Sequence, residues 1–509
     1  MRLRYNLDSG AASKSAALTD RASQNSTLLS FGNETVGSML RIFGHFVPVP
    51  AILVGLCEIL LMSLALYAAT APGEAFALTR FHVAASSVQF SLGMSVLATA
   101  TMGAVGLYNY EVFLDSRLMV TKALVALAMV VPAAAIAGLF FTGDMLGGLA
   151  GSWHALCLKA SAAWMGCVIL TRMTFLHFSD SEMFRRQVVV LGTGVRAARI
   201  ADLATRHENR YFVPKAFVHI GPDPHLIPTE ACDLDQTSDD RALSKLAKQL
   251  GAKEIVVATD ERRGMPVTQL LHCKLDGINV VDYLTFWERE NGRVEVEALQ
   301  PSWLIYSDGF RQGRIIHITK RIFDVLCSLI LLSVTLPVIG LAAIAIKLES
   351  RGPAVYRQER VGYHGRPFTL FKFRSMRQDA ETGGAPQWAV DADPRITRIG
   401  NILRKYRIDE LPQLLNVLRG DMSFVGPRPE RPYFVDQLGA QIPFYRERHA
   451  VKPGITGWAQ VNYSYGASLD DARQKLAYDL YYVKNRTLFL DLVILIQTVR
   501  VILFHEGAR

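Results

Sequence analysis

The 509-residue chain has only 6 cysteines, and no two of them form a Cys-x-x-Cys pair. Cys57, Cys157, Cys167, Cys232, Cys273 and Cys327 are scattered, four of them in apolar segments. That excludes a disulfide framework and a structural zinc site and leaves reduced packing residues. Charge is also sparse: 20% of residues are Asp, Glu, Lys or Arg, whereas 50% are hydrophobic. This composition suits a membrane protein with cytosolic parts better than a soluble protein. The formal net charge of +9 is not gathered into one basic run. Basic residues flank apolar segments instead, which points to anionic lipid and phosphate substrates and away from nucleic acid. The N-terminal stretch 1–45 is polar, rich in Ser and Ala, and lacks the apolar core of a cleaved signal peptide. It reads as a disordered cytosolic tail.

The apolar residues concentrate in four segments, 48–70, 87–108, 119–141 and 154–176. Each approaches the ~20 residues a helix needs to cross the hydrocarbon, so 46–180 is expected to be a four-helix transmembrane bundle. Arg41, Arg117, Lys122, Arg172, Arg185 and Arg186 place both ends of the bundle in the cytoplasm. Arg80, in the first outside loop, dissents mildly. Glu58 lies within the first segment. It marks either a functional ionisable group or a carboxylate facing the bundle or an interface.

The stretch 186–300 is expected to be a Rossmann-like α/β domain, with strands alternating with helices in a parallel sheet. Gln187-Val-Val-Val-Leu-Gly-Thr-Gly-Val-Arg-Ala reads as a strand leading into GxGxxA, with Gly192 and Gly194 at the turn. Further strands are expected at 212–220, 254–259 and 278–283. A dinucleotide site also needs an acidic residue ~20 positions on. Position 214 is Pro, and Asp223 is displaced. The glycines therefore serve either a nucleotide or close strand–helix packing.

From about 325 to 346 the chain has an apolar run with basic residues on both sides: Lys320 and Arg321 before it, Lys347 and Arg351 after it. Pro337 near its middle removes a backbone donor and favours a kink. The segment 320–348 is expected to be a re-entrant membrane hairpin, entering and leaving on the cytoplasmic face. Leu488–Leu503 reads as an amphipathic helix on the membrane surface.

Downstream, Asp409 and Glu410 adjoin one another among Arg404, Arg407, Arg428 and Arg431. Lys372 and Arg374 alternate on a strand-like stretch and add two candidate phosphate ligands. A carboxylate attacking a diphosphate meets like-charge repulsion, which guanidinium groups and a divalent cation such as Mg2+ reduce. A helix N-terminus just after Asp409 would also favour phosphate. Asp409 could equally be a helix N-cap, with Pro412 in the first turn.

The ordered motifs Lys320-Arg-Ile-Phe-Asp, Gln358-Glu-Arg-Val-Gly, Phe371-Lys-Phe-Arg-Ser-Met, Asp409-Glu-Leu-Pro-Gln-Leu, Gly426-Pro-Arg-Pro and Lys452-Pro-Gly-Ile-Thr-Gly-Trp resemble the bacterial sugar transferases. These are polyprenyl-phosphate hexose-1-phosphate transferases. The resemblance covers 317–509, and the two preceding regions are similar to those of the large subfamily. It implies a mixed α/β monotopic catalytic domain on the cytoplasmic face of the bacterial inner membrane. The implied reaction moves hexose-1-phosphate from a UDP-sugar to undecaprenyl phosphate, releasing UMP, to begin exopolysaccharide, capsule or O-antigen synthesis. Glucose is favoured and galactose is an alternative. By the same resemblance Asp409 is the nucleophile of a covalent phosphosugar intermediate. Asp409 and Glu410 position Mg2+, and Arg404 and Arg428 contact phosphates. The family often has Ser before the hairpin proline; Leu336 stands there instead. Homo-oligomerisation through the bundle or the Rossmann-like domain, and hand-over to downstream glycosyltransferases, fit that role. A nucleotide-sugar oxidoreductase or epimerase is disfavoured because 186–300 has no ribose-reading acid at the expected position, and its one Tyr-x-x-x-Lys spacing, Tyr211 to Lys215, runs into the strand expected at 212–220.

Overall fold

The computed structural model describes parts of 35–174 (35–70 with two short breaks, 80–105, 107–108, 119–130, 162, 164–171 and 173–174) and most of 186–504 apart from short interruptions, the longest being 378–392. The chain forms two compact units, Met1–Val36 and Gly37–Arg509. In the first, the described residues form strand β1, Thr35–Val36. In the second, β2 (Met39–Ile42) and β3 (His45–Pro48) pair antiparallel. The end of the expected disordered tail is thus ordered strand, while 1–34 lie outside the described residues.

Helices α1 (Val49–Thr70) and α2 (Arg80–Val105) pack with helical segments at 119–130 and 164–171. Met62, Leu66, Met102, Ala126, Trp164 and Val168 form their shared core. Their outer surface is apolar too: Leu56, Leu60 and Leu64 recur every fourth residue on the exposed side of α1. A helix that is apolar all round belongs in a protein core or in lipid. Glu58 faces the bundle interior, where its carboxylate accepts hydrogen bonds from Tyr108 Oη and Thr171 Oγ1. The expected spans over 131–141 and 154–161 lie outside the described residues.

A five-stranded parallel sheet follows. Its strands are β4 (Arg186–Leu191), β5 (Phe212–His219), β6 (Cys232–Asp233), β7 (Glu254–Val257) and β8 (Asn279–Asp282). Their spatial order is β6-β5-β4-β7-β8, so the chain starts in the middle and winds out both ways. Helices α3 (Val195–Thr205), α4 (Ala242–Gln249), α5 (Val267–Leu275) and α6 (Tyr283–Asn291) make the connections and cover the sheet. β4 is buried on both faces, as its run of valines requires.

Helix α6 ends in three consecutive buried charges, each with its own partner. Arg289 pairs with Glu254 at 2.8 Å, and Glu290 pairs with Arg186. Glu288 turns to the next body, meeting Lys484 Nζ at 2.6 Å and Asn485 Nδ2 at 2.7 Å. The hydrophobic core of that body also takes in Val294, Val296 and Leu299. The boundary read at 300 therefore falls within shared packing.

Short helix α7 (Pro301–Tyr306) leads to α8, Arg314–Glu349, a 36-residue helix containing Pro337. Among the described residues it is the one helix long and apolar enough to cross a membrane; Ile52–Ala68 and Met119–Val130 are shorter apolar helices. The expected 320–348 segment is therefore assigned as continuous helix through the proline. Both its ends are tied to the same globular body. Near the start, Lys320 Nζ donates to Val425 O at 3.2 Å, and Asp324 accepts from Ser423 Oγ and Phe424 N at 3.0 Å. Near the finish, Ala342 and Ile346 pack with Phe373 and Leu403. Between them Val334, Leu336 and Leu341 are 70%, 62% and 69% exposed.

The body itself holds an antiparallel hairpin, β9 (Val355–Val361) and β10 (Pro367–Phe373), then α9 (Arg398–Lys405) and α10 (Gln413–Arg419). Strand β11 (Ser423–Val425) pairs parallel with β12 (Gly454–Thr456), and α11 (Pro432–Gln441) lies between them in sequence. Helices α12 (Trp458–Asn462), α13 (Leu469–Asn485) and α14 (Leu488–Phe504) complete it. α13 begins with a full capping box from Ser468 and Asp471. α14 packs on α2 of the bundle, where Ile496 lies beside Gly103. The surface helix expected over 488–503 is therefore held against other helices along at least part of one side.

Candidate active site

Asp409 and Glu410 sit on a single 3-10 turn, Ile408–Glu410, between α9 and α10. Arg407 just before it adopts φ 57°, a left-handed conformation that costs a non-glycine residue roughly 1–2 kcal/mol and turns the chain sharply. The helix proper starts only after Pro412. The expected helix over 410–418 is thus broken at its first turn, and the N-cap reading of Asp409 does not hold. The Asp409 carboxylate makes no hydrogen bond among the described residues, and its Oδ1 is buried without a partner. Asn416 fixes the turn from below. Its Oδ1 accepts from Phe371 N at 3.0 Å and its Nδ2 donates to Thr369 O at 2.7 Å, which ties α10 to β10.

Glu410 is the hub. Its Oε1 accepts from Arg428 Nη2 at 2.8 Å and lies 3.6 Å from both Lys372 Nζ and Arg407 Nη1. Burial works against its charge, but Arg428, Lys372 and Arg407 hold its carboxyl well below the usual range. Asp409 goes the other way. Burial, then the charge of Glu410, raises it above the ordinary carboxylate value, opposed by Lys372, Arg428 and Arg404. Burial lowers Lys372 to about 8 in spite of Glu410. Two adjacent carboxyl groups pushed in opposite directions are typical of a reaction centre.

Arg404, on the last turn of α9, carries a buried Nη1 with no hydrogen-bond partner. It is one of the groups that favour the charged form of Asp409. Arg374 does not join the cluster. Its guanidinium donates to Arg351 O at 2.7 Å and to Ser350 O and Oγ at 2.9 and 3.0 Å, closing the end of α8. β10 ends at Phe373, so the alternation that put Lys372 and Arg374 on one face stops between them. Arg374 is therefore corrected from phosphate ligand to structural clamp.

Arg428 is presented by the Gly426-Pro-Arg-Pro loop, which interlocks with the loop 452–457. Gly426 N donates to Thr456 O at 2.8 Å, and Gly454 N donates to Pro427 O at 2.9 Å. A Cβ on Gly426 would fall 2.4 Å from Lys452 O, and one on Gly454 only 2.1 Å from Gly426 N. The backbones approach too closely for any side chain. The motifs Gly-Pro-Arg-Pro and Pro-Gly-Ile-Thr-Gly are two halves of one clasp.

No group of three or more His, Cys, Asp or Glu suited to a metal exists among the described residues. A magnesium ion needs only one or two carboxylates when substrate phosphates complete its shell. The unpartnered Oδ1 of Asp409 fits that use. Glu410 Oε1 is already shared by three cations.

At the glycine turn of the sheet, the N-terminus of α3 is filled by the protein itself. Asp260 accepts from Val195 N at 2.7 Å and from Arg196 N at 3.1 Å. A Cβ on Gly194 would lie 2.1 Å from Asp260 Oδ2, and one on Gly192 (φ 120°) 2.7 Å from Ala258 O. Both glycines serve close packing. Asp223 is buried and lies near Asp260 N at 3.4 Å, within this internal acidic corner.

Residues 315–505 match the bacterial sugar transferase family. A UDP-glucose:undecaprenyl-phosphate glucose-1-phosphate transferase of Escherichia coli is 41% identical over 365 residues, covering 68% of this chain and 74% of the relative. A UDP-N-acetylgalactosamine-undecaprenyl-phosphate N-acetylgalactosaminephosphotransferase of Aeromonas hydrophila is 46% identical over 240 residues, 47% of this chain and 56% of the relative. An undecaprenyl-phosphate glucose phosphotransferase of Komagataeibacter xylinus is 44% identical over 196 residues, 37% of this chain and 36% of the relative. The chain spans about half or less of the last two. The chain belongs to the bacterial sugar transferase family, and the carboxylate pair with its cations lies within the matched region.

Proposed function

We propose that the protein transfers a sugar-1-phosphate from a UDP-sugar to undecaprenyl phosphate, releasing UMP. The observation that carries this reading is the Asp409 carboxylate, buried and without a hydrogen bond beside a Glu410 held by three cations. A carboxylate with no hydrogen bond has little to break before it attacks. In the first half-reaction its oxygen bonds to the sugar-bearing phosphorus, and the bond from that phosphorus to the UMP oxygen breaks. In the second, a phosphate oxygen of the lipid attacks the same phosphorus, and the Asp409 carboxylate leaves. Arg428, Arg404 and Lys372 balance the phosphate charge. Glu410 keeps the cations in place. A magnesium ion arriving with the diphosphate, held through Asp409 and Glu410, would supply further charge neutralisation.

Relatives named for glucose and for N-acetylgalactosamine leave two donor readings. Glucose is the first, since the more extensive of those matches carries that name.

The catalytic body works at a lipid surface in this reading. An apolar helix tied to one body at both ends and bare in its middle suits entry and return on a single face, which requires the continuous helix to bend at Pro337 in lipid. Such a segment sets the carboxylate pair at headgroup level on the cytoplasmic face of the inner membrane. The helices expected over 46–180, whose described outer surface is apolar, would anchor the same chain by spanning. The product would start a polymer that later glycosyltransferases extend.

The test is UMP release by purified protein with undecaprenyl phosphate, Mg2+ and a panel of UDP-sugars, beside Asp409→Asn. Release with one donor and none from the variant is expected. Release that survives Asp409→Asn would sink the covalent mechanism, and none from any donor would sink the transferase.

A further inference from the structure

The geometry points to Arg448 and Asp479 as positioning residues for the transfer, acting through the backbone of Arg428. The inference rests on the transferase reading above. Arg448 lies on the 3-10 turn Tyr445–Ala450 and Asp479 on α13, and both are buried. Their side chains pair at 2.7 Å between Arg448 Nη2 and Asp479 Oδ2. Arg448 Nη1 donates to Tyr445 Oη at 2.8 Å, and its guanidinium lies over the Tyr445 ring at 5.2 Å. Nη2 also donates to the carbonyl oxygen of Arg428 at 3.0 Å. Arg428 in turn donates to Glu410 at 2.8 Å.

A guanidinium fixed on three sides by buried groups has little freedom, so the carbonyl it holds has little either. That carbonyl belongs to the residue whose own side chain reaches the carboxylate pair. Neither Arg448 nor Asp479 hydrogen-bonds or ion-pairs with Asp409 or Glu410, so their effect passes through Arg428. Asp479 is needed because an unpaired guanidinium in this interior would be unfavourable and would turn toward solvent. The clasp of Gly426 and Gly454 sets where the loop runs; the Arg448–Asp479 pair sets the tilt of the peptide that carries Arg428. A shift of about 1 Å at a reacting site can cost on the order of 100-fold in rate.

The experiment is a double-mutant cycle on the full-length protein, with Asp479→Asn and Arg428→Ala separately and together. UMP release is measured as kcat and KM for the donor, with the melting midpoint of each variant. Asp479→Asn is expected to lower kcat by about 10–100-fold with KM changed less than about threefold. In the Arg428→Ala background the same change should cost less than about threefold more, because its route to the site is already gone. Arg448→Lys, which keeps the charge but cannot bridge Asp479 and the carbonyl together, should repeat the pattern if Asp479→Asn fails to fold. Unchanged kcat in folded Asp479→Asn, or an equal loss in both backgrounds, would overturn the inference and leave a purely structural pair. Wild-type protein that releases no UMP would instead bring down the transferase reading itself.

Discussion

Removing the charge of Glu410 should make Lys372 easier to deprotonate, by an amount the structure allows to be worked out. Lys372 Nζ stands 3.6 Å from Glu410 Oε1, and its side chain is only 21% exposed. At an effective dielectric near 20, that separation corresponds to about 4–5 kcal/mol of attraction for the charged amine. Burial has already brought Lys372 to about 8 with Glu410 still helping it stay charged. In Glu410→Gln the burial penalty remains and the attraction is lost. If rearrangement and solvent cancel half of the loss, about 2 kcal/mol survives, which exceeds a tenfold change in proton affinity. The midpoint should therefore fall from about 8 to about 6.5 or lower. Competitive labelling with acetic anhydride between pH 5 and 10, with Lys372 followed by peptide mass spectrometry, reads the neutral amine directly and needs no activity. A midpoint in Glu410→Gln equal to or above the wild-type value would refute the account of Glu410 as the hub of the cluster. In the wild type, kcat/KM should decline above pH about 8 as the ammonium is lost, and Lys372→Arg should remove that decline in whatever activity it keeps.

Three further outcomes follow from the geometry. His449 is lowered to about 4 by burial and then by Arg448, against the hydrogen bond to the Arg446 carbonyl, so the folded state binds fewer protons than the unfolded state between pH about 6.5 and 4. Stability should therefore fall as pH drops through that window, by up to about 3 kcal/mol relative to His449→Gln, and parallel melting curves for the two proteins would contradict this. Gly454→Ala must push apart two backbones, at a cost of about 1–3 kcal/mol and most of the activity, whereas Gly313→Ala, with its nearest neighbour 4.0 Å away, should change neither. Asp260→Ala removes the acceptor for two α3 amides and should lower stability by about 1–2 kcal/mol; an unchanged melting midpoint would mean something other than Asp260 satisfies them.

What was legible in the chain was what local pattern controls. The β4 run, its glycine turn and the strands near 212–220, 254–259 and 278–283 follow from buried β-branched residues between turn signals. Adjacent Asp409 and Glu410 needed no fold to be noticed. Long-range partnership was not legible. Lys372 meets Glu410 only because Asn416 fastens β10 to α10, and the visible sign of that was an asparagine inside an apolar helical run. Arg374 misled because period two predicts a shared face only while a strand lasts, and this one stops at Phe373. Arg448 and Asp479 carried no local signal at all; each looks like a surface charge until the fold buries it. The glycine pattern left two uses open because it shows only that backbones come close, and the group that meets the α3 amides here is Asp260.

The three charges at the end of α6 bear on how this chain can be cut. Glu288 reaches across to Lys484 and Asn485, Trp458 Nε1 donates to Gly292 O at 2.7 Å, and Val294 N donates to Ala477 O at 3.1 Å. A fragment beginning at 313 would lose all of these at once. It would leave a buried lysine without its counter-ion and the side of Trp458 bare. The linker ahead of α8 looks like a place for scissors, but the seam between modules runs through α6. Anyone grafting this transferase body onto another anchor should carry 283–300 with it, as a tenon goes with its mortise.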